Sequence, residues 1–263
     1  MGYQVKDIIV LMEEIAPARH AEYWDNVSLI VGDSTAAVNR IMVTLDITRD
    51  VIQDAIEKQV NLIISHHPII FKPIKMVNDH SVVGSQILLL LQAGISVYCA
   101  HTNLDKAEGG VDDTLAHLLG LQEIQPLTQE TFGRIGRLSK RQLLKDYLLS
   151  IKETLGASSV DFIGDPNKEI QVVASCAGAG GDFICEAQSA GAELFITGEI
   201  KYHDAISTMD GDMAVAAFGH YATEMPAMTQ LISRLQKSVN ALQYRIEVIP
   251  SKYYGDSFCR LKE

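Results

Sequence analysis

Two periodicities alternate along the chain of 263 residues. Runs of strand length, rich in Val and Ile and apolar on both faces, recur at 40–46 (RIMVTLD), 61–65 (NLIIS), 95–100 (ISVYCA), 170–178 (IQVVASCAG), 193–199 (ELFITGE) and 213–219 (MAVAAFG). Between most of them lie amphipathic segments of helical length, at 48–59, 80–93, 111–119, 141–155, 182–190 and 224–238. A strand that is apolar on both faces has to be covered on both, so the pattern predicts an α/β fold with mostly parallel sheets flanked by helices. The rhythm pauses over 121–140 (LQEIQPLTQETFGRIGRLSK), which predicts two α/β lobes, 1–126 and 127–263. Alternation at 244–249 predicts a late strand able to return to the first lobe.

Composition narrows the range of functions. Hydrophobic residues make up 47% of the chain, ample for two cores, and the net charge is −11 with no basic run or stripe. A phosphate backbone is therefore not an expected partner. The opening residues mix charge with apolar positions and lack the basic and apolar regions of an export signal. The longest apolar stretch, ILLLLQAGISVYCA, is broken by Gln92, Gly94 and Ser96 and is too short to span a membrane. A soluble, cytoplasmic protein is expected. Cys99, Cys176, Cys185 and Cys259 form no CxxC pair and sit in apolar or strand-like surroundings, which predicts buried, reduced thiols.

Ligands of open α/β sheets gather outside the carboxyl ends of the strands. Three apolar runs end there in histidine: NLIIS in His66-His67, ISVYCA in His101 with Asp105 four residues on, and MAVAAFG in His220 with Glu224 four residues on. One such histidine is more often part of the core than a ligand, but three strand ends carrying the same residue point to a metal. If a helix starts at His220, positions i and i+4 share a face, so His220 and Glu224 can meet on one ion. Neighbouring side chains on an extended segment diverge, so His66 and His67 are expected to serve one ion each. Two ions can share a bridging carboxylate and a water, and imidazole with carboxylate suits zinc, iron, manganese or cobalt.

The segments SHHPIIF, AHTNLD and GHYATE, with WDNVSLIVG, GRIGRL and TGEIKYHDA, resemble the Nif-three-like family, the GTP cyclohydrolase 1 type 2 homologues. They occur in the family's order across most of the chain. The resemblance implies two interlinked α/β lobes, a toroidal homohexamer and two divalent transition metal ions held by His66, His67, Asp105, His220 and Glu224. The chain has no room for the extra domain that some relatives insert between the lobes. Ser28 stands where the family pattern DNVGL places a glycine.

His101 stands one short segment before Asp105 and is open to three roles, a ligand, an outer partner of the ligands or the group that moves a proton; the last two are favoured and it stays outside the ligand set. His203 is left outside the ligand set. GAGGDF (178–183) lacks the features of a nucleotide loop and is read as a tight strand-to-helix turn. Arg134 and Arg137 are read either as anion contacts or as a solvated hairpin. The leading expectation is metal-assisted hydrolysis of a small substrate, with a nucleotide or pterin-like molecule as the lead from the resemblance. The competing expectation is a metal-binding regulatory, scaffold or metal-delivery protein, which needs no substrate.

Overall fold

The computed structural model describes residues 2–253 and 255–258, and Cys259 lies outside them. The chain forms two compact units, one made of Met1–Glu108 with Met228–Tyr254 and the other of Gly109–Ala227 with Gly255–Glu263. Residues 109–126, assigned to the first lobe by the pause in the sequence pattern, belong to the second.

The first unit runs α1 (Val5–Ile15), β1 (Ser28–Val31), β2 (Arg40–Thr44), α2 (Arg49–Glu57), β3 (Leu62–Ser65), α3 (Val82–Gln92), β4 (Ser96–Cys99) and α4 (Thr102–Lys106). Thr48 and Ser81 start α2 and α3, each hydroxyl accepting from a backbone N–H three residues on, those of Val51 and Gly84. The second unit holds α5 (Val111–Leu118), β5 (Gln122–Pro126), β6 (Arg134–Leu143), α6 (Leu144–Thr154), β7 (Asp161–Ile163), β8 (Glu169–Cys176), α7 (Ile184–Ser189), β9 (Leu194–Thr197), α8 (Tyr202–Thr208) and β10 (Ala214–Ala217). Then α9 (His220–Ala241) carries the chain from second-unit to first-unit residues, and β11 (Glu247–Pro250) ends the sheet of the first.

In the first unit the strand order is β1-β4-β3-β2-β11, parallel except that β1 runs against β4. Met42, Ile63 and Val97 face Val51, Ile52 and Ala55 of α2 and Ile87 and Leu90 of α3. Their neighbours Ile41, Val43, Leu62 and Ile64 are fully buried too, so both faces are covered and the strands read as unbroken apolar runs.

The sheet of the second unit, ordered β5-β6-β8-β9-β10-β7, is mixed: β8, β9 and β10 are parallel, while β5, β6 and β7 pair antiparallel. Alternate residues of its parallel strands enter different cores. Val173, Leu194, Ile196, Ala214 and Ala216 pack with α5 and α6, whereas Ala174, Phe195 and Val215 pack with Ile184 and Ala187 of α7. Cys99 and Cys176 are buried as expected, but Cys185 is exposed, because the helix phase of α7 gives the core contacts to Ile184 and Ala187 instead.

Candidate metal centre

In the first unit, strand register brings the polar residues together. Thr44, Ser65 and Cys99 are aligned on the adjacent parallel strands β2, β3 and β4. The residues just beyond these carboxyl ends therefore share one edge: Asp46, His66-His67 and His101. Because β1 is antiparallel and pairs Ser28 with Cys99, the segment before β1 arrives at the same edge and delivers Asp25.

His66, His67 and His101 each place a ring nitrogen within 4.8 Å of the others. The His66 and His67 rings have centroids 5.0 Å apart, so they converge rather than diverge as an extended segment would require. The strand ends at Ser65, and the next two amides follow the backbone of the neighbouring segment, His66 N–H donating to the Thr44 carbonyl and His67 N–H to that of Leu45. The adjacency of the two histidines thus no longer counts the ions. Asp105, in α4, places Oδ1 3.4 Å from His66 Nε2. His66 is fully buried, while His67, His101 and Asp105 are half-buried.

The second unit repeats the device. Cys176, Thr197 and Ala217 are aligned on β8, β9 and β10. The loops beyond them supply Gly178, Glu199 and His220. Helix α9 begins at His220, and the one-turn spacing brings His220 Nε2 within 3.0 Å of Glu224 Oε1. The chain bends at Gly178, which has φ +59, and runs through a single 3-10 turn, Gly180–Phe183, into α7, the strand-to-helix turn expected. A Cβ at Gly178 would stand 2.1 Å from Glu224 Oε1 and 3.2 Å from His220 Nε2, so only glycine leaves space for that carboxylate and imidazole. Buried Asp112 holds the turn by accepting from Ala177 N–H at 3.0 Å.

All four histidines are oriented the same way. Nδ1 of His66 meets the Ala100 carbonyl at 2.9 Å, that of His67 meets Asp46 Oδ1 at 2.8 Å, that of His101 meets Asp25 Oδ1 at 2.9 Å, and that of His220 meets Glu199 Oε1 at 3.0 Å. An acceptor at Nδ1 fixes the tautomer and presents Nε2 as the electron-pair donor, which is the outer arrangement that metal-binding histidines require. The donor set therefore fits a divalent transition metal.

Burial opposes ionisation of Asp25, but hydrogen bonds from His101 and Thr102 outweigh it and hold the carboxyl at about 2. Sequence reading missed Asp25, Asp46 and Glu199 as partners, although each is an acidic residue flanking a strand, two of them inside the segments WDN and TGE. His203 is exposed on α8 with its ring near that of Tyr202. Arg134 is buried and paired with Asp113, neither an open anion contact nor solvated, whereas Arg137 is exposed and reaches Gln171.

Comparison with known proteins bears on the family and the fold. The chain is 34% identical to a GTP cyclohydrolase 1 type 2 homolog of Clostridium acetobutylicum over 98% of its own length and 99% of that protein's. Its fold matches that of a Staphylococcus aureus hypothetical protein at a TM-score of 0.93 and 28% identity, covering 99% of this chain and 100% of the other. It matches a Bacillus cereus protein related to NIF3 at a TM-score of 0.94 and 21% identity, again over 99% and 100%. The profile of the Duf34/NIF3 (NGG1p interacting factor 3) family matches residues 3–256, and the chain belongs to that family.

Proposed function

We propose that the protein is a metal-dependent hydrolase acting on a small substrate, with two divalent transition ions held by His66, His67, Asp105, His220 and Glu224. The observation that carries this reading is the common orientation of the histidines, each with Nδ1 held by an oxygen acceptor. Five such ligands exceed what one tetrahedral ion takes and leave open positions on two. Bound there, the ions would lower the pKa of a water and stabilise charge developing on the electrophile.

The protein's own groups supply the rest. His101, oriented by the ionised Asp25, presents Nε2 to take the proton released by the attacking water and then pass it to the leaving group. The Gly178 turn leaves Glu224 and His220 room to stand together. The Clostridium acetobutylicum relative's name points to a nucleotide substrate, and a nucleotide or pterin-like molecule is the substrate class to screen first. A homohexamer, implied by the resemblance, is part of the same proposal.

Elemental analysis combined with a hydrolase panel tests it. The expected content is about two transition metals per chain. With Glu224 proposed as the carboxylate that the two ions would share, Glu224→Gln, which keeps shape and removes charge, should lower the occupancy of both together. His67→Ala should weaken one site, and His101→Asn should lose turnover by roughly 100-fold with the metal kept, whereas metal lost along with it would make His101 a ligand. One ion or none in fully loaded protein sinks the dinuclear reading. Full loading with no turnover on any substrate would favour the metal-delivery or scaffold role.

A further inference from the structure

Beside the histidine cluster of the first unit stand two aromatic side chains that the core does not use. Trp24 is 50% exposed and Phe71 is 55% exposed. Together with His101 they form a corner of three rings at steep mutual angles: Trp24 and Phe71 lie 6.1 Å apart at 70°, Trp24 and His101 6.3 Å apart at 74°, and Phe71 and His101 6.1 Å apart at 82°.

The segments that carry these rings are tied down. Asp25 accepts from His101 Nδ1 and from the Thr102 N–H at 2.9 and 3.0 Å. Asn26 Nδ2 donates to the Ile70 carbonyl at 2.7 Å, joining the loop that carries Trp24 to the segment that carries Phe71. Glu22 N–H donates to Thr102 Oγ1, and its carboxylate pairs with Lys106. The flanking residues are thus fixed to the histidine edge while the two rings are held out in solvent. Exposed aromatic surface held rigidly has its ordering cost met before a ligand arrives, as in a preorganised binding site.

From this geometry we infer that Trp24 and Phe71 are a stacking platform for a planar aromatic ring of the substrate, placed beside His101; as a substrate platform it rests on the proposed hydrolase reading. The rings already touch edge to face, so there is no room between them for a globular cation of the kind an aromatic cage encloses. Their outward faces are what a ligand can use. A flat ring lying on one of these faces brings its edge toward the other and toward His101, where polar substituents on that edge meet the donor cluster.

Trp24 is the chain's single tryptophan, so its emission reports this corner alone. Guanosine is the probe, with ribose and tetramethylammonium as controls, on metal-loaded and on chelated protein. Saturable quenching by guanosine but by neither control is expected. Phe71→Ala should weaken guanosine roughly tenfold, the effect of losing one stacked face, while Phe71→Tyr should restore it. Circular dichroism checks that the variants are folded, and Phe71→Tyr provides a second folded reading. Quenching that does not saturate, that ribose or tetramethylammonium reproduces, or that is unchanged in Phe71→Ala overturns the platform. Chelation should leave the guanosine affinity within a few-fold, since the rings need no ion. Saturable quenching in protein that binds no metal would therefore refute the metal-dependent hydrolase and keep the platform, and metal loading without quenching would refute the platform and leave the metal centre standing.

Discussion

At the scale of single residues, backbone conformation tells as much as side-chain chemistry. Ser28 has φ +79, a left-handed conformation that suits glycine and costs an L side chain roughly 1–2 kcal/mol. The family pattern places glycine at this position, so the serine carries a strain that the pattern avoids. Ser28→Gly should stabilise the protein by about 0.5–1 kcal/mol, the strain relieved less the extra chain entropy of glycine. Thermal unfolding would show this as a rise of a degree or more, and a fall would mean that the serine side chain does something the strain offsets. The histidines were legible from sequence because each follows an apolar run. Their partners Asp25, Asp46 and Glu199 were not, because an acidic residue beside a strand reads as a turn until register shows which imidazole it meets.

At the scale of elements, the strands buried on both faces were readable from composition alone, and α2, α3, α5 and α6 from their periodicity. What escaped was short or polar. β5 has no buried residue, and β7 has three residues, none of them buried, so neither carries an apolar signal. The convergence of His66 and His67 escaped for another reason: it depends on where β3 stops, which periodicity locates only to within a residue or two. The late strand β11 pairs with β2, and the segment after it is held by a buried charge. Asp54 of α2 is fully buried and accepts from the Lys252 N–H at 2.8 Å and from Lys58 Nζ at 2.9 Å. Burial opposes its ionisation, yet these donors keep its carboxyl below the usual range. Its contribution is therefore complete above the ordinary carboxylate pKa and is lost as the pH falls below it. Asp54→Ala should cost about 1–3 kcal/mol at neutral pH and speed amide exchange in 247–252 before the central strands. Unchanged exchange in that segment would show that strand pairing alone holds β11.

At the scale of the whole molecule, no helix among the described residues is long and apolar enough to cross a membrane. The chain carries a net charge of −11, and acidic residues stand at both histidine-bearing sheet edges: Asp25, Asp46 and Asp105 at one, Glu199 and Glu224 at the other. Divalent cations would offset that repulsion, so in the proposed holoprotein metal binding and folding stability are linked. An ion present at a thousand times its Kd adds about 4 kcal/mol, and for a chain of this size each kcal/mol moves the melting temperature by roughly 2–4 °C. Stripping the metal with a chelator should then lower the melting temperature by roughly 10 °C, and restoring zinc, manganese, iron or cobalt should recover it in the order of their affinities, with the logarithm of each. The sign with pH follows from competition: protons and metal seek the same imidazole nitrogens, so the gap between loaded and stripped protein should narrow as the buffer is acidified. Scanning calorimetry at several pH values measures both effects. A gap that stays constant with pH would mean that the stabilising ion sits on carbonyl oxygens rather than on these histidines. The absence of any gap would mean that the imidazoles are held by Asp25, Asp46 and Glu199 for a purpose other than metal.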